Sequence, residues 1–458
     1  MLMLLLVLLT VFSCFFIYAL NKCDIKCSQS ILITKENIYT KRLYYVIPLV
    51  CLVSFIFGNF IFSGKLFAEL FYKLESDFGM DFHVFLSESV LLKEGYIGNT
   101  EAFNPPLIKL ISLFLYRSFP SNYQTLYYES AINNQILDIR LLVQAFIPFV
   151  VFISFSTVTL SLMLYHYKKG NSLEKTYYVF LALTNIGVFF AIERGNYILL
   201  SLPFALFFVI NCHNKNSKIR ELSLIALGIS AGIKVYPCLL GILLVKEKRW
   251  KDVCHCMLYG ILFVFGPFLY YGGVDGILGF LRSLGGTGET SLRMGTLNLT
   301  SFFYTIQKLF GGGRENDILS DIHMLKCFSY LLFFAGIIYV LFIKEYWKTI
   351  LMIVTLIILY AGTAHTYMLS LLLLPIFLFI NEKHTNKFVN YIYTLLFIIL
   401  SSIIVFSCPD FLNSIRLETN DRVTLLMIIQ QFTLIYLFVF QLSEGIVEML
   451  GNIVKRKR

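Results

Sequence analysis

The side chains that could do chemistry in this chain fall in four places. Asp77, Asp81 and His83 stand close together; Glu193-Arg194-Gly195-Asn196 is a polar tip between apolar runs; Lys234-Val235-Tyr236-Pro237 and His365-Thr366-Tyr367 are two more. An aspartate can take the proton from a sugar or protein hydroxyl, while Arg, Lys and His stabilise a phosphate as it leaves. Together these groups suit glycosyl transfer from a lipid-linked sugar phosphate. A hairpin tip also needs polar residues simply to meet water. A lone lysine in an apolar hairpin, however, costs about 2.5 to 3.5 kcal/mol near the membrane centre, where Ser or Asn would make a cheaper turn. The number and type of the groups favour a common cavity.

The elements that must position these residues belong in a bilayer. Of the 458 residues, 57% are hydrophobic and only 14% charged, against about 25% charged in soluble domains. The composition predicts an all-α polytopic membrane protein, one integral membrane domain over 1–458, and excludes collagen, disorder and disulfide scaffolds. The formal net charge of +10 does not imply nucleic acid, because a nucleic-acid binder gathers its basic residues on one soluble face. Here they lie in short tracts between apolar runs, at 21–42, 166–175, 211–221, 246–252, 344–348, 381–387 and 441–458, which hold 23 Lys and Arg against 10 Asp and Glu. Such tracts face the cytoplasm. Two consecutive cytoplasmic tracts require the chain between them to cross and return, which places 193–196, 234–237 and 365–367 at outside tips.

The count comes to about 13 membrane segments in a multi-pass protein of the cell membrane, N-terminus outside and C-terminus cytoplasmic. Residues 1–20 lack a basic n-region and a cleavage site and read as an anchor rather than a signal peptide. Some arms are shorter than the roughly 20 residues of a span, so tilted or protein-buried half-helices are expected. Two larger outside loops remain, 64–138 and 272–324. In the first, a helix starting after Pro105-Pro106 is expected to lie along the membrane surface with Leu107, Leu110, Ile111 and Phe114 in the interface. The ten cysteines are scattered without zinc-site spacing and read as thiols.

Gly79-Met80-Asp81-Phe82-His83-Val84-Phe85, Gly95-Tyr96 and Phe103-Asn104-Pro105-Pro106-Leu107 resemble, in order, elements of family 87 of the glycosyltransferases. So do Arg194-Gly195-Asn196, Lys234-Val235-Tyr236-Pro237, Lys248-Arg249-Trp250-Lys251, Asn298-Leu299-Thr300-Ser301 and His365-Thr366-Tyr367 with Leu374-Pro375. The resemblance implies a GT-C type glycosyltransferase fold. It also implies a hexosyltransferase that uses a polyprenyl-phosphate sugar, usually mannose, at the extracytoplasmic face, with inversion at the anomeric carbon. The acceptor would be a glycan or glycolipid. By residue matching, Asp81 becomes the general base, Arg194, Lys234 and His365 donor-phosphate contacts, and Asn196, Tyr236 and Tyr367 further substrate contacts.

Asp77 is a possible second carboxylate. Four residues from Asp81 on a helix, it could help hold a divalent cation. The metal-free version is favoured, with no cofactor, because Arg194, Lys234 and His365 can supply the positive charge; His83 reads as structural. The rival classes are a transporter or flippase of lipid-linked glycans, with charges distributed across both leaflets, and a polysaccharide polymerase with arginine-rich outside loops. Residues 272–324 supply only Arg282, Arg293 and Arg314.

Overall fold

Proline and glycine punctuate a chain whose apolar runs otherwise favour helix. A computed structural model describes residues 7, 10–19, 38–64, 66, 78–93, 106–133, 143–270, 273–286, 296–310, 315–362, 364–382, 388–404 and 425–456, and these are helical, with no strand among them. The elements that matter below run in chain order: α1 (Ile38–Ile61), α2 (Met80–Lys93), α3 (Pro106–Arg117), α4 (Ser121–Ile132), α5 (Val143–Tyr167), α6 (Ser172–Leu183), α7 (Ile186–Arg194), α8 (Ile198–Asn211) and α9 (Ser217–Ile233). A 3-10 turn, Tyr236–Gly241, leads into α10 (Ile242–Lys246), followed by α11 (Trp250–Phe265), α12 (Gly273–Gly286), α13 (Leu299–Phe310), α14 (Glu315–Phe342) and α15 (Tyr346–Tyr360). A second such turn, Thr366–Leu372, precedes α16 (Leu373–Asn381), α17 (Phe388–Ser401) and α18 (Leu425–Arg456).

Among the described residues, four helical stretches are long and apolar enough to cross a membrane: Thr40–Ile61, Ala145–Tyr167, Trp250–Leu269 and Leu426–Leu450. The pair α6 and α7, bent by 58°, makes a fifth if counted as one span. Other apolar helices, such as α8, α15 and α17, have 10 to 17 residues, below the roughly 20 needed to span alone. Val46, Val50, Val53 and Phe57 on α1, Phe155, Val158 and Leu162 on α5, and Leu258, Ile261 and Leu262 on α11 are exposed. Apolar rows of this extent are stable when lipid covers them. The chain is a helical, membrane-embedded protein.

The chain divides into two compact units, residues 73–179 with 187–290, and residues 1–72 with 180–186 and 291–458. In the first, α9 packs closely on α8 and α11. Gly228 and Gly232 form a small-x-x-x-small pair, and a Cβ on either would stand 2.9 Å from the Tyr259 Cβ or 2.7 Å from the Phe263 carbonyl oxygen. Small residues at that spacing let helix backbones approach. On the α8 side, the Ser201 and Ser230 hydroxyls lie 2.8 Å apart, and each also reaches the other residue's carbonyl oxygen at 3.1 Å.

The helix expected after Pro105-Pro106 forms, with Pro106 as its first residue, the position where proline's missing N–H costs nothing. Its orientation differs from expectation. Phe114 is exposed, but Leu107, Leu110 and Ile111 pack partly against the aromatic core of this unit, with Ile108, Ser112 and Leu113 fully buried. The helix packs onto the protein, against α2 and the aromatic core of this unit.

In the second unit, α15 is buried along Trp347–Leu359. At its start the Lys348 ammonium meets Glu345 at 3.0 Å and Glu444 of α18 at 2.8 Å, and the Tyr393 hydroxyl donates to Glu444 at 2.6 Å.

Candidate active site

The site is built on the start of α2. Gly79 (φ +65°) makes the entry turn, and its N–H donates to the Glu193 carbonyl oxygen at 2.8 Å, tying α2 to the end of α7. Asp81 then falls in the first helical turn, where free N–H groups and the helix dipole favour an anion.

α7 ends in a Schellman arrangement: the Asn196 N–H donates to Ala191 O at 2.8 Å and the Gly195 N–H to Ile192 O at 3.1 Å. Gly195 takes φ +66°, as this motif requires. A Cβ there would also stand 2.7 Å from Phe82 Cβ and Phe149 Cε2, so conformation and space both demand glycine. The turn presents two side chains to Asp81. Arg194 donates through Nε to both carboxylate oxygens at 3.2 Å and through Nη2 to Oδ1 at 2.8 Å. Asn196 donates to Oδ2 at 2.5 Å and accepts from the Ile198 N–H at 2.9 Å, which fixes its amide. Next to it, Tyr197 is wedged between Phe82, Phe85 and Phe152, its hydroxyl 2.6 Å from Ser112 of α3.

Lys234 closes α9, its N–H donating to Ser230 O at 2.9 Å in an extended backbone. Pro237 sits at the start of the turn that follows and stops α9 from continuing. The Lys234 ammonium is buried and lies over the Phe85 ring, 4.9 Å from its centroid, a favourable cation–π placement.

The electrostatics follow from these contacts. Burial pushes the Asp81 carboxyl upward, but the Arg194 charge and hydrogen bonds, the Lys234 charge and the Asn196 amide outweigh it and hold the group below its ordinary value. Burial and the Arg194 charge lower Lys234, against the pull of Asp81 and Glu88, to about 8. At neutral pH the site holds an ionised carboxylate and a protonated lysine.

Asp81, Arg194, Asn196 and Lys234, each singled out by sequence, are thus brought together, and Tyr236 follows half-buried as the first residue of the 3-10 turn. Asp77 lies outside the described residues. His365 and Tyr367 belong to the other unit, where His365 precedes the 3-10 turn and the two rings are 5.9 Å apart. Within that unit, Asn298 accepts from the Ser301 N–H at 2.7 Å at the start of α13 and donates to Gly362 O at 3.1 Å. The Asn298–Ser301 motif is therefore a helix cap that also anchors the segment leading to His365.

His83 is held structurally: the Tyr127 hydroxyl donates to its carbonyl oxygen at 3.0 Å, which leaves Nδ1 to donate to that hydroxyl at 3.1 Å. Among the described residues, no group of three His, Cys, Asp or Glu side chains is placed to hold a metal ion.

Sequence reasoning missed Glu88 and Lys109. They form a shielded ion pair between α2 and α3, 3.9 Å apart, and the available signal was a lysine inside the apolar run after Pro106, opposite a glutamate two helical turns beyond Asp81.

Fold and site define a class: an all-helical membrane protein in which a largely shielded carboxylate is hydrogen-bonded to a guanidinium and lies within the field of a buried ammonium, an arrangement able to take a proton next to a bound anion. The family model described as Glycosyltransferase family 87 matches residues 139–375, more than half of the 458, and the chain belongs to that family. It is a membrane glycosyltransferase, acting between a sugar donor and an acceptor. No curated protein and no solved structure matches it. Arg194, Asn196, Lys234, Tyr236, His365 and Tyr367 lie within the matched stretch; Asp81 lies ahead of it and joins it through Arg194 and Asn196.

Proposed function

We propose that the protein is a GT-C type hexosyltransferase that moves a sugar, mannose first among candidates, from a polyprenyl phosphate to a glycan or glycolipid acceptor at the extracytoplasmic face. The observation that carries this is the Asp81 carboxylate held between Arg194 and Asn196 with Lys234 over Phe85 beside it. Arg194, Lys234 and Lys109 face two carboxylates, Asp81 and Glu88. The surplus positive charge suits the single negative charge of a sugar phosphodiester.

In the reaction, the donor phosphate draws Arg194 from Asp81 and takes Lys234 as a second contact. The freed carboxylate accepts the proton of the acceptor hydroxyl, whose oxygen bonds to the anomeric carbon as the bond from that carbon to the phosphate oxygen breaks. The electron pair leaves with the polyprenyl phosphate, which gains a second negative charge opposite Arg194 and Lys234. Attack from the face opposite the leaving group inverts the anomeric centre. These two cations do the work that a divalent ion would otherwise do, so activity should survive a chelator.

The test is incubation of the purified protein in lipid with polyprenyl-phosphate-mannose or polyprenyl-phosphate-glucose, followed by detection of transfer or of slow donor hydrolysis. Neither product from a folded sample with either donor would overturn this assignment of the donor class.

A further inference from the structure

Glu88 is placed where nothing in the helix needs a carboxylate. Asp81, Phe85 and Glu88 follow one another at i, i+4 and i+7 and so share one face of α2. Lys234 lies over the middle member, Phe85, with its ammonium 4.9 Å from the ring centroid, and is acted on by both carboxylates. The Lys109 ammonium of α3 reaches Glu88 Oε2 at 3.9 Å, the two side chains only 4% and 17% exposed. That distance is long for an ion pair, and Oε2 is shielded with no hydrogen-bond donor. The carboxylate is therefore loosely paired with Lys109 and acts electrostatically on Lys234 as well. A buried carboxylate paired this loosely is poor value as a structural brace, since an apolar pair of similar volume commonly does as well or better.

We propose that Glu88 is a positioning residue of this site: its carboxylate, paired with Lys109 and acting on Lys234, fixes the Lys234 ammonium over Phe85 in the cationic form that a phosphate-bearing donor requires. Lys109 completes the arrangement by keeping Glu88 ionised in surroundings that favour its neutral form. The result is a line of alternating charge along α2, in the order Arg194, Asp81, Lys234, Glu88, Lys109. The ionisable groups acting on Lys234 are Asp81 and Glu88 of α2 and Arg194 of α7. Asp81 is committed to Arg194 and Asn196, whereas Glu88 has no such commitment. Burial and Arg194 hold Lys234 at about 8 even with Asp81 and Glu88 raising it, so loss of Glu88 carries it further down, towards neutrality. This role rests on Lys234 being a donor contact, as proposed above.

The experiment uses the full chain in lipid and two measurements. One is the pH midpoint of Lys234 labelling by a small amine-acylating reagent, read by mass spectrometry. The other is affinity for a non-hydrolysable polyprenyl-phosphate-sugar analogue between pH 6 and 9. Glu88→Gln should lower the labelling midpoint by about one pH unit and weaken the analogue about threefold at pH 7.5, with the difference closing at pH 6, where Lys234 is mostly charged in either protein. Glu88→Asp should recover part of both effects. The double variant Glu88→Gln with Lys109→Met removes the pair without leaving an unpaired ammonium, and should show the same midpoint shift as Glu88→Gln.

An unchanged midpoint in the folded double variant would overturn the proposal. A midpoint that moves while analogue affinity stays level at every pH would establish the hold of Glu88 on Lys234 and overturn Lys234 as a donor contact.

Discussion

Asp81→Asn replaces one carboxylate oxygen by an amide nitrogen of nearly the same size, and its two expected effects run in opposite directions. The proton acceptor is lost, and removal of a general base costs about 10² to 10⁴ in rate. The anion that competes with the donor phosphate for Arg194 is also lost. Arg194 makes three contacts of 2.8 to 3.2 Å with Asp81, and charge-assisted hydrogen bonds are worth about 1.5 to 3 kcal/mol net. A donor phosphate replaces most of what it displaces, so a gain of about 1 kcal/mol remains, or roughly fivefold tighter binding. Lys234 complicates the comparison, because Asp81 is the group that most raises its pKa. The variant should be compared with the unmodified protein at pH 6, the acid end of the binding range, where more of the lysine is protonated.

The assay pairs transfer of radiolabelled sugar in lipid with equilibrium binding of a non-hydrolysable donor analogue. Transfer within tenfold of the unmodified protein would remove Asp81 as the base. Analogue binding lost together with transfer would mean that the carboxylate shapes the cation site rather than taking the proton.

Three further outcomes follow from the same geometry. Donor-analogue affinity should hold below about pH 8 and fall above it as the Lys234 ammonium loses its proton, with a limiting slope near tenfold per pH unit; Lys234→Arg should abolish that alkaline fall in a binding titration. Gly195→Ala forces a side chain into φ +66° and within 2.7 Å of Phe82 and Phe149, which should cost about 2 to 4 kcal/mol, seen as earlier thermal unfolding in detergent. In the second unit, Lys348→Met leaves Glu444 buried without its 2.8 Å cation and should cost about 3 to 5 kcal/mol in denaturant titration, whereas Lys348→Met with Glu444→Gln should recover most of it.

Much of this was legible in the sequence because the bilayer makes composition informative. A chain with 14% charge has few places to put it. Asp81, Arg194, Asn196 and Lys234 were marked by standing at the ends of apolar runs, where a cheaper turn residue would serve. Pro105-Pro106 announced a helix start, and the helix begins at Pro106 as expected. His83 was separable as structural, though its partner Tyr127 was not.

What the sequence could not determine was who meets whom. Helical periodicity assigns a residue to a face and says nothing about the face opposite. Arg194 lies 113 positions from Asp81, and its landing on that carboxylate is decided by the Schellman turn at Gly195 and the aromatic packing around Tyr197. Lys234, at the end of α9, meets the Phe85 ring of α2 across helices far apart in the chain. Nothing in the sequence singled out Glu88 and Lys109, which fall within a stretch expected to be an outside loop. Only the packing of α3 on α2 makes the two a shielded pair, since burial and pairing are properties of the assembled faces and not of either helix alone.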